Sequence, residues 1–546
     1  MRRLRKHEIT EMVPPVHCRF WVITQRCDGQ RTDDSEEVAV ACKTLQHAVL
    51  SFGDREQLFA KRRRRPVMDS KRVINNSIAL LVMDMSSKIV PLITFPWILR
   101  ALGPESYGKV GFAAAVTGFF GLLASPGFTT FGIRESARAT ETPRSLVQKL
   151  MSARIMLALC SFVLLLLFTF TLAPKDSLTR VLLLVSGTNF LMTSVDVQWL
   201  YIGQSRMWRV SSATMLAQIA YMMVILTCVR RPSDAWIVPL AITISTLVSA
   251  SILLRRARAD FNVGLPRYMP EEWKRFLPVC AMLGIASMMS MLYDQIDTVM
   301  LRYMRTEAEV GIYAASYRLM TISMSFLTVL AMVFFPLFSG SAVSDRKRDQ
   351  KYAQWMANSS IALALPIATG GFLLARPLCE LVMGSKYAGA DHLLRWLMLN
   401  LLSASAAVLF GSRLVPNNRE RKYLATVAAG AVTNILLNFL FIPRYGAIAA
   451  VFTTIAAQSV VAVTAYYYTR DLEHAEFGRP LAISIVASIG MAAAVMFGER
   501  ILQLHVLVLV AVGAAMYGAG MLAGQLLWRQ FLQPATAASG AHGSGE

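Results

Sequence analysis

Long apolar runs without charged residues constrain this chain more than any other feature of its sequence. Ten charge-free runs have about the 20 residues that a helix needs to cross the hydrocarbon core of a membrane. Four further runs are shorter or interrupted. The runs lack the alternation of membrane strands, so they predict helices rather than a barrel. The sequence therefore predicts an all-α integral membrane protein with about 14 transmembrane helices. The ten long runs are Val110–Ile133, Ile155–Pro174, Val210–Val229, Ala235–Leu254, Leu319–Ser344, Tyr352–Ala375, Tyr423–Pro443, Tyr445–Thr469, Pro480–Gly498 and Leu504–Trp528, and the four shorter ones are Val73–Leu99, Val181–Leu200, Phe276–Leu301 and Trp396–Ser412.

Composition and charge agree with a membrane protein. Only 16% of the residues are charged, where a soluble domain has about 25%. If the chain enters from the cytoplasm, the loops predicted to lie inside hold 22 Lys and Arg residues and those outside hold 13. The positive-inside rule then places both termini in the cytoplasm. The net charge of +21 is therefore a signal of topology, and no nucleic-acid partner is inferred from it.

The first 67 residues do not share the apolar pattern. They mix charges of both signs, contain no apolar signal-peptide core, and space Cys18, Cys27 and Cys42 too widely for a zinc site. Two interpretations stay open: a disordered extension, or a start assigned too early, with Met68 as the natural beginning. The predicted organisation is this segment (1–67), an N-terminal six-helix lobe (68–254), a basic cytoplasmic connector (255–274), a C-terminal six-helix lobe (275–470), two additional transmembrane helices (471–528) and a disordered tail (529–546).

A short hairpin motif occurs twice, at an offset near 202 residues. Each copy links the first two helices of a predicted six-helix block, so we interpret the blocks as two parallel repeats around a central cavity. At the first copy, Gly103-Pro104 predicts the turn, where Arg100 and Glu105 are expected to cap or pair. The matching positions are Leu99-Arg100, Glu105, Gly108 and Phe112-Ala113 in the first copy, and Leu301-Arg302, Glu307, Gly311 and Tyr313-Ala314 in the second.

The same hairpin carries a resemblance to a known family. Residues 75–138 resemble the opening of bacterial polysaccharide flippases of the Wzx type, in the multidrug/oligosaccharidyl-lipid/polysaccharide exporter superfamily. Weaker likenesses extend the resemblance over roughly residues 70 to 470. The matching features are Asn76-Ser77, Pro96, Leu102-Gly103-Pro104-Glu105, Tyr107-Gly108, Gly127-Phe128, Gly132-Ile133-Arg134-Glu135, Trp199 to Gly203, Gly311 to Ala315 and Ile442 to Ala447.

The resemblance implies a transporter without catalytic residues, cofactor or metal. Its substrate would be an oligosaccharide on undecaprenyl pyrophosphate, moved across the bacterial inner membrane by alternating access for O-antigen, capsule or exopolysaccharide synthesis. Implied partners are the bilayer, a coupling proton or sodium ion, and a polysaccharide polymerase with its chain-length regulator. Two alternatives are a drug or cation antiporter of the same superfamily and a membrane polymerase or glycosyltransferase. The short outside loops and the absence of catalytic motifs argue against the enzymes.

Ionisable residues inside apolar runs are candidates for the transport site. Lys88 and Arg318 are candidate cavity cations, since a cation can hold phosphate. Asp84, Asp294 and Asp297 are candidates for ion coupling, because paired carboxylates need a cation, a proton or an arginine nearby. The structural alternatives are an internal Asp84–Lys88 salt bridge, pairing of the aspartates with Arg302 or Arg318, and an Arg318 that reaches the headgroups.

Polar residues complete the set of candidates. Asn189, Asn434 and Asn438 are predicted either to contact sugar or to form helix–helix hydrogen bonds. Arg134 and Glu135, with Asp196, are predicted to form a cytoplasmic gate or cap. Arg154, near the start of a helix, is predicted to lie at the membrane interface.

Overall fold

The computed structural model describes residues 70–139, 141–264, 266–341, 346–472 and 476–527, with side chains described from Ile89 onward apart from a few positions. All the regular elements in these ranges are helices. The α-helices are α1 (Ser70–Ala124), α2 (Phe128–Arg138), α3 (Pro143–Thr171), α4 (Ser177–Ser194), α5 (Gln198–Gly203), α6 (Met207–Cys228), α7 (Ile237–Phe261), α8 (Pro270–Met304), α9 (Glu307–Ser341), α10 (Arg346–Leu373), α11 (Ala375–Val382), α12 (Ala390–Gly411), α13 (Glu420–Tyr445), α14 (Ala447–Thr469), α15 (Gly478–Arg500) and α16 (Val506–Leu527).

Helix α1 is broken at the predicted turn. Gly103 has φ 72° and ψ 174°, which no helix contains and which glycine adopts without steric cost. Pro104 follows and can begin a new helix because its missing amide would have no partner there. The break divides α1 into α1a (residues 70–102) and α1b (residues 104–124). We call the end of the bundle that contains residues 99–109 and 301–311 the hairpin face.

The predicted class of fold is confirmed. Within the described ranges, twelve helices are long and apolar enough to cross a membrane, and one of them contains the break at Gly103. The shorter helix α4, with 18 residues, is not among the twelve. Counting α1a, α1b and α4 separately would give the predicted 14, and that number stays a prediction.

Local signals begin several of these helices. The Asp176 carboxylate accepts a hydrogen bond from the Thr179 amide at 2.9 Å and caps α4. Thr142 caps α3, with Pro143 at the first helical position. These residue types are preferred there because they satisfy amides that the helix leaves without a partner.

Helix α13 presents apolar residues to the outside and polar residues to the inside. On α13, Leu436 and Phe439 are 63% and 70% exposed, whereas Asn434 and Asn438 are fully buried. This inverts the pattern of a soluble helix, because lipid solvates apolar side chains as well as a protein core does. The inverted pattern is what a multi-pass membrane protein requires.

Helices α1 and α8, the first of each predicted repeat, both contact the opposite repeat. In α1a, Phe95 and Leu99 pack in a core with Tyr313 of α9. At the start of α8, Phe276 packs on Phe128 of α2, with ring centroids 6.0 Å apart. The space between the two repeats is therefore bordered by α1 and α8.

Helices α15 and α16 pack together against the second repeat. Met491 and Leu509 form a buried core with Leu374 at the end of α10. They leave an apolar groove of about 570 Å³, which we call the α16 groove, lined by residues such as Leu92, Pro366, Val495 and Tyr517.

Candidate functional site

A polar cavity of about 590 Å³ lies between the two repeats and near the hairpin face. We call it the hairpin-side chamber. Residues of α1, α6 and α7 line one wall, and residues of α8 and α9 line the other. The described residues that supply polar side chains to it are Thr94, Tyr107, Gln218, Tyr221, Ser245, Thr246, Gln295, Thr298, Tyr317, Arg318 and Thr321.

Arg318 is the one charged side chain among the described residues that line this chamber. It is exposed, and within the described ranges no carboxylate forms an ion pair with its guanidinium. It lies eleven residues after Glu307, which is about 16 Å along the helix from the hairpin face. The guanidinium therefore lies well away from the hairpin face along α9 and has its donors available for a ligand.

A second polar cavity of about 500 Å³ continues from the first toward the far end of α1b. The two share the lining residues Val110, Ala114, Val238 and Ile242. We call this part the lower chamber. Its lining contains Arg154, Asn189 and Asp196, and so it unites two of the predicted site residues with an arginine that was assigned elsewhere.

The prediction that Arg154 lies at the membrane interface is wrong. The side chain is 5% exposed, and its terminal nitrogens donate to the carbonyl oxygens of Asp196 at 2.7 Å and Thr193 at 2.5 Å. Thr193 lies in the last turn of α4 and Asp196 just after it, where a helix leaves acceptors without partners. Arg154 therefore joins α3 to the end of α4 and shapes the lower chamber.

Asp196 faces the same chamber rather than Arg134 or Glu135. Its carboxylate accepts a hydrogen bond from the Gln198 amide at 3.0 Å. The other two gate candidates lie together on α2, where Arg134 Nε is 3.2 Å from Glu135 Oε1.

Asp297 lies in a fully buried polar cluster inside the second repeat. Tyr313 donates to Asp297 Oδ2 at 2.7 Å, Thr454 donates to the same oxygen at 2.8 Å, and the Asn438 amide donates to Oδ1. Asn438 also donates to Asn434 Oδ1 at 2.9 Å. Within the part of the chain that the structure describes, no cation pairs with this carboxylate.

The cluster changes the environment expected for the two asparagines. Asn434 and Asn438 were candidates for sugar contact in the cavity, but both are fully buried and line neither chamber. Asp294, three residues from Asp297, has an exposed side chain and does not join the cluster. The side chains of Asp84 and Lys88, both on α1a, lie outside the described residues.

The two copies of the hairpin motif contact each other at the hairpin face. A methyl group at Gly108 would overlap the Glu307 carbonyl oxygen, and one at Gly311 would overlap the Pro104 carbonyl oxygen. Lys109 Nζ lies 3.1 Å from both Asp176 and Glu307. The repeats are therefore closed against each other at this face.

Arg100 was expected to cap or pair at the Gly103-Pro104 turn, but its partner lies outside the turn. Arg100 donates to the Leu381 carbonyl oxygen, and Tyr387 donates to the Leu99 carbonyl oxygen at 3.3 Å. The first hairpin is thus tied to the segment around α11. Tyr313 and Thr454 were also missed as site residues, because nothing in their local sequence indicates that they face a carboxylate.

A polar cavity between two helical repeats, closed at one face by contacts between those repeats, defines a multi-pass membrane transporter. The family model described as "Polysaccharide biosynthesis protein" matches residues 73–342. These observations confirm the resemblance to Wzx-type polysaccharide flippases, and the enzyme alternatives are not retained.

Named relatives and a solved structure agree with this class. A protein of Escherichia coli (strain K12) named for O-antigen transport is 20% identical over 404 residues, which are 72% of this chain and 96% of that protein. The succinoglycan biosynthesis transport protein ExoT of Rhizobium meliloti (strain 1021) is 25% identical over 67% of this chain and 72% of its own length. The fold is similar to that of lipid II flippase MurJ in an inward closed conformation, with a TM-score of 0.62, 13% identity, and coverage of 84% of this chain and 100% of that one.

Proposed function

We propose that this chain is a flippase for a lipid-linked oligosaccharide. It moves the oligosaccharide on undecaprenyl pyrophosphate from the cytoplasmic to the periplasmic leaflet of a bacterial inner membrane, where a polymerase and its chain-length regulator use it to build surface polysaccharide. The observation that carries the proposal is the guanidinium of Arg318, which has no carboxylate partner among the described residues and lies in an otherwise uncharged polar chamber between the repeats. The names of the relatives support the same class of substrate.

The chamber provides what a pyrophosphate needs inside a membrane. An anion without partners is costly to bring into a medium of low dielectric constant. The planar guanidinium of Arg318 can offer two parallel hydrogen bonds to phosphate oxygens. Tyr107 and Gln295 line the same chamber and can donate to further oxygens. The headgroup would thereby exchange its water for fixed protein donors.

The α16 groove suits the polyprenyl tail of such a substrate. Leu92 and Leu319 line the groove, while their neighbours Pro91 and Arg318 line the hairpin-side chamber. The groove and the chamber therefore lie beside the same two helices, α1a and α9. A tail in the groove and a headgroup in the chamber would keep each part of the lipid in a solvent that matches it.

The transport cycle we propose is alternating access between lobes 68–254 and 275–470. Both termini lie in the cytoplasm, so the hairpin face is periplasmic. Closure of this face leaves the chambers to be loaded from the cytoplasmic side, near the predicted gate residues Arg134 and Glu135. Separation of the two hairpins would then release the substrate outward.

The Asp297 cluster is the candidate site for coupling to an ion gradient. An ionised carboxylate that is 1% exposed and has no cationic partner among the described residues is costly unless a proton or a cation neutralises it. The surrounding oxygens of Asn434, Thr453 and Thr454 are hard ligands of the kind that a sodium ion accepts. A proton and a sodium ion both fit this chemistry.

The test of the proposal is export in a deletion strain complemented with the full chain or with variants at Arg318. We expect Arg318→Ala to lower the rate of surface polysaccharide synthesis about tenfold or more, because a charge-assisted hydrogen bond contributes roughly 1.5–3 kcal/mol. Lipid-linked oligosaccharide should accumulate in the cytoplasmic leaflet. Arg318→Lys should retain part of the activity.

Arg376→Ala is the matched control for the loss of an arginine. Arg376 is exposed, and its ion-pair partner among the described residues is Glu380, at 3.0 Å on the same helix and outside both chambers. The variant should export normally at equal membrane levels. If the deletion strain still makes intact surface polysaccharide and has reduced drug tolerance, the flippase proposal is wrong. The antiporter alternative then takes its place.

A further inference from the structure

The two connected chambers differ in the charge of the groups that line them. In the hairpin-side chamber, the described lining carries one positive charge, that of Arg318. In the lower chamber, Arg154 and Asp196 balance each other. The terminal nitrogens of Arg154 already donate hydrogen bonds to the carbonyl oxygens of Thr193 and Asp196. The guanidinium therefore cannot offer this pair of donors to a phosphate group.

The lower chamber contains buried polar atoms that have no partner. Arg154 Nε and Asn189 Oδ1 both lack a hydrogen bond among the described residues. Both residues line the chamber, and Arg154 is 95% buried. Buried polar groups in native proteins are nearly always hydrogen-bonded, so two such atoms that line one cavity are open to a polar ligand there.

The remaining polar lining of the lower chamber consists of hydroxyl groups. Ser125, Thr129 and Ser186 contribute them from α1b, α2 and α4 or the segments beside these helices. Hydroxyls and an amide both donate and accept hydrogen bonds, and a carboxylate accepts them, which matches the hydroxyl groups of a sugar ring. The carboxylate of Asp196 would repel a phosphate but can accept from a sugar hydroxyl.

We infer that the lower chamber is the subsite for the sugar residues nearest the pyrophosphate, and that Asn189 is a residue that contacts them. Arg154 acts as a positioning residue, because it holds the end of α4 beside the chamber. This inference rests on the proposed function and adds an orientation to it: the phosphates lie at Arg318, and the first sugars extend toward the far end of α1b. The volume of about 500 Å³ is within the usual range of pockets that enclose small ligands.

The experiment compares two probes on the full chain in lipid nanodiscs. One probe is undecaprenyl pyrophosphate without sugar, and the other is the lipid-linked oligosaccharide extracted from the deletion strain. For Asn189→Ala we expect the dissociation constant of the glycosylated probe to rise about tenfold, because a site built to hydrogen-bond a polar group loses that discrimination with the bond. The dissociation constant of the bare pyrophosphate should change less than twofold.

Two further variants make the result specific. Asn400→Ala is the matched control, since Asn400 is 2% exposed, has an unpaired Oδ1 and lies outside both chambers. It should bind both probes as the unaltered chain does. Asn189→Asp introduces a negatively charged carboxylate that can still accept a hydrogen bond from a sugar hydroxyl. The variant should therefore still bind the glycosylated probe, and its binding of the bare pyrophosphate should not change.

Several results would overturn the inference. If Asn189→Ala weakens the binding of both probes equally, the phosphates lie in the lower chamber. The same conclusion follows if Asn189→Asp no longer binds the bare pyrophosphate. No change for either probe in Asn189→Ala would remove Asn189 from the site. If the unaltered chain binds neither probe, the proposed function fails, and the inference fails with it.

Discussion

At the scale of single residues, burial separates two arginines that look alike in the sequence. Arg154 and Arg318 each lie eleven residues after the first residue of their helix, from 143 to 154 and from 307 to 318. Arg154 is buried with its donors on two backbone carbonyls, whereas Arg318 faces a cavity without a carboxylate partner in the described part of the chain. The roles follow from what the neighbouring helices place opposite each side chain.

The two aspartates of α8 support a second prediction at this scale. Asp297→Asn removes the buried charge while keeping the shape of the side chain, so transport should no longer respond to an ion gradient. We expect flipping of the extracted lipid-linked oligosaccharide in proteoliposomes to lose its acceleration by an imposed sodium or proton gradient. The gradient that accelerates the unaltered chain identifies the ion.

Asp294→Asn is the control for this measurement. Its side chain is exposed and outside the cluster, although it lies on the same helix three residues away. Acceleration should therefore persist in this variant. The coupling assignment fails if Asp294→Asn loses the response to the gradient and Asp297→Asn keeps it.

At the scale of elements, the two hairpins are held in contact by glycine. We expect Gly311→Ala to lower the free energy of unfolding by about 1–3 kcal/mol, the usual range for overpacking. The obstacle is the Pro104 carbonyl, a backbone atom that cannot rotate away as a side chain can. An unfolding titration with a denaturing detergent in mixed micelles measures the change.

The control at this scale is Gly490→Ala on α15. Beyond its own helix turn, no atom of the described residues lies within 4 Å of the position that its new methyl group would occupy. Alanine has a higher helix propensity than glycine, so stability should stay equal or rise by up to about 1 kcal/mol. If Gly490→Ala lowers the free energy of unfolding as much as Gly311→Ala does, the contact between the hairpins is not the cause of the lowered stability.

At the scale of the whole molecule, an ion pair between the repeats stabilises the closed hairpin face. Lys109 of the first repeat contacts Glu307 of the second. Within the second repeat, Arg302 contacts the same Glu307 carboxylate at 2.5 Å. Burial alone would raise the pKa of Asp176, but hydrogen bonds from Thr179 and Lys109 outweigh it and lower that pKa. The contribution of Asp176 is therefore present at neutral pH and is lost only when the pH falls through this lowered pKa.

Glu307→Gln should shift the chain toward an open hairpin face. The variant removes the carboxylate that Lys109 and Arg302 share, and a loss of about 1 kcal/mol would change the ratio of open to closed states about fivefold. A cysteine placed by Ser106→Cys in a chain without its native cysteines reports the change, because Ser106 is 9% exposed at this face. Its labelling by a membrane-impermeant maleimide should become several times faster.

Glu380→Gln is the matched control for the charge change. Glu380 pairs with Arg376 within α11, so it does not join the two repeats. Labelling of the Ser106→Cys cysteine should keep its original rate in this variant. Equal acceleration by both variants would mean that the ion pair between the repeats does not hold the face closed.

The sequence by itself determined the class of this protein. The length of each run and its total apolarity can be read from consecutive residues. The free energy of transferring a helix into lipid depends mainly on these two properties. The turn at Gly103 was readable for the same local reason, because a Gly-Pro pair imposes its own backbone geometry. The carboxylate at Asp297 stood out because a charge in an apolar run is costly wherever it lies.

Only the tertiary structure decided which polar residues meet. Lipid is as apolar as the core, so the helices carry no strong amphipathic stripe that would show which side faces inward. Arg154 was therefore assigned to the interface, and Asn434 and Asn438 were left between sugar contact and helix–helix hydrogen bonds. Arg154 and Asn438 are buried against partners distant in the sequence. The contact of Gly108 with Gly311 is likewise invisible along the chain, because it depends on how the two repeats cross in space.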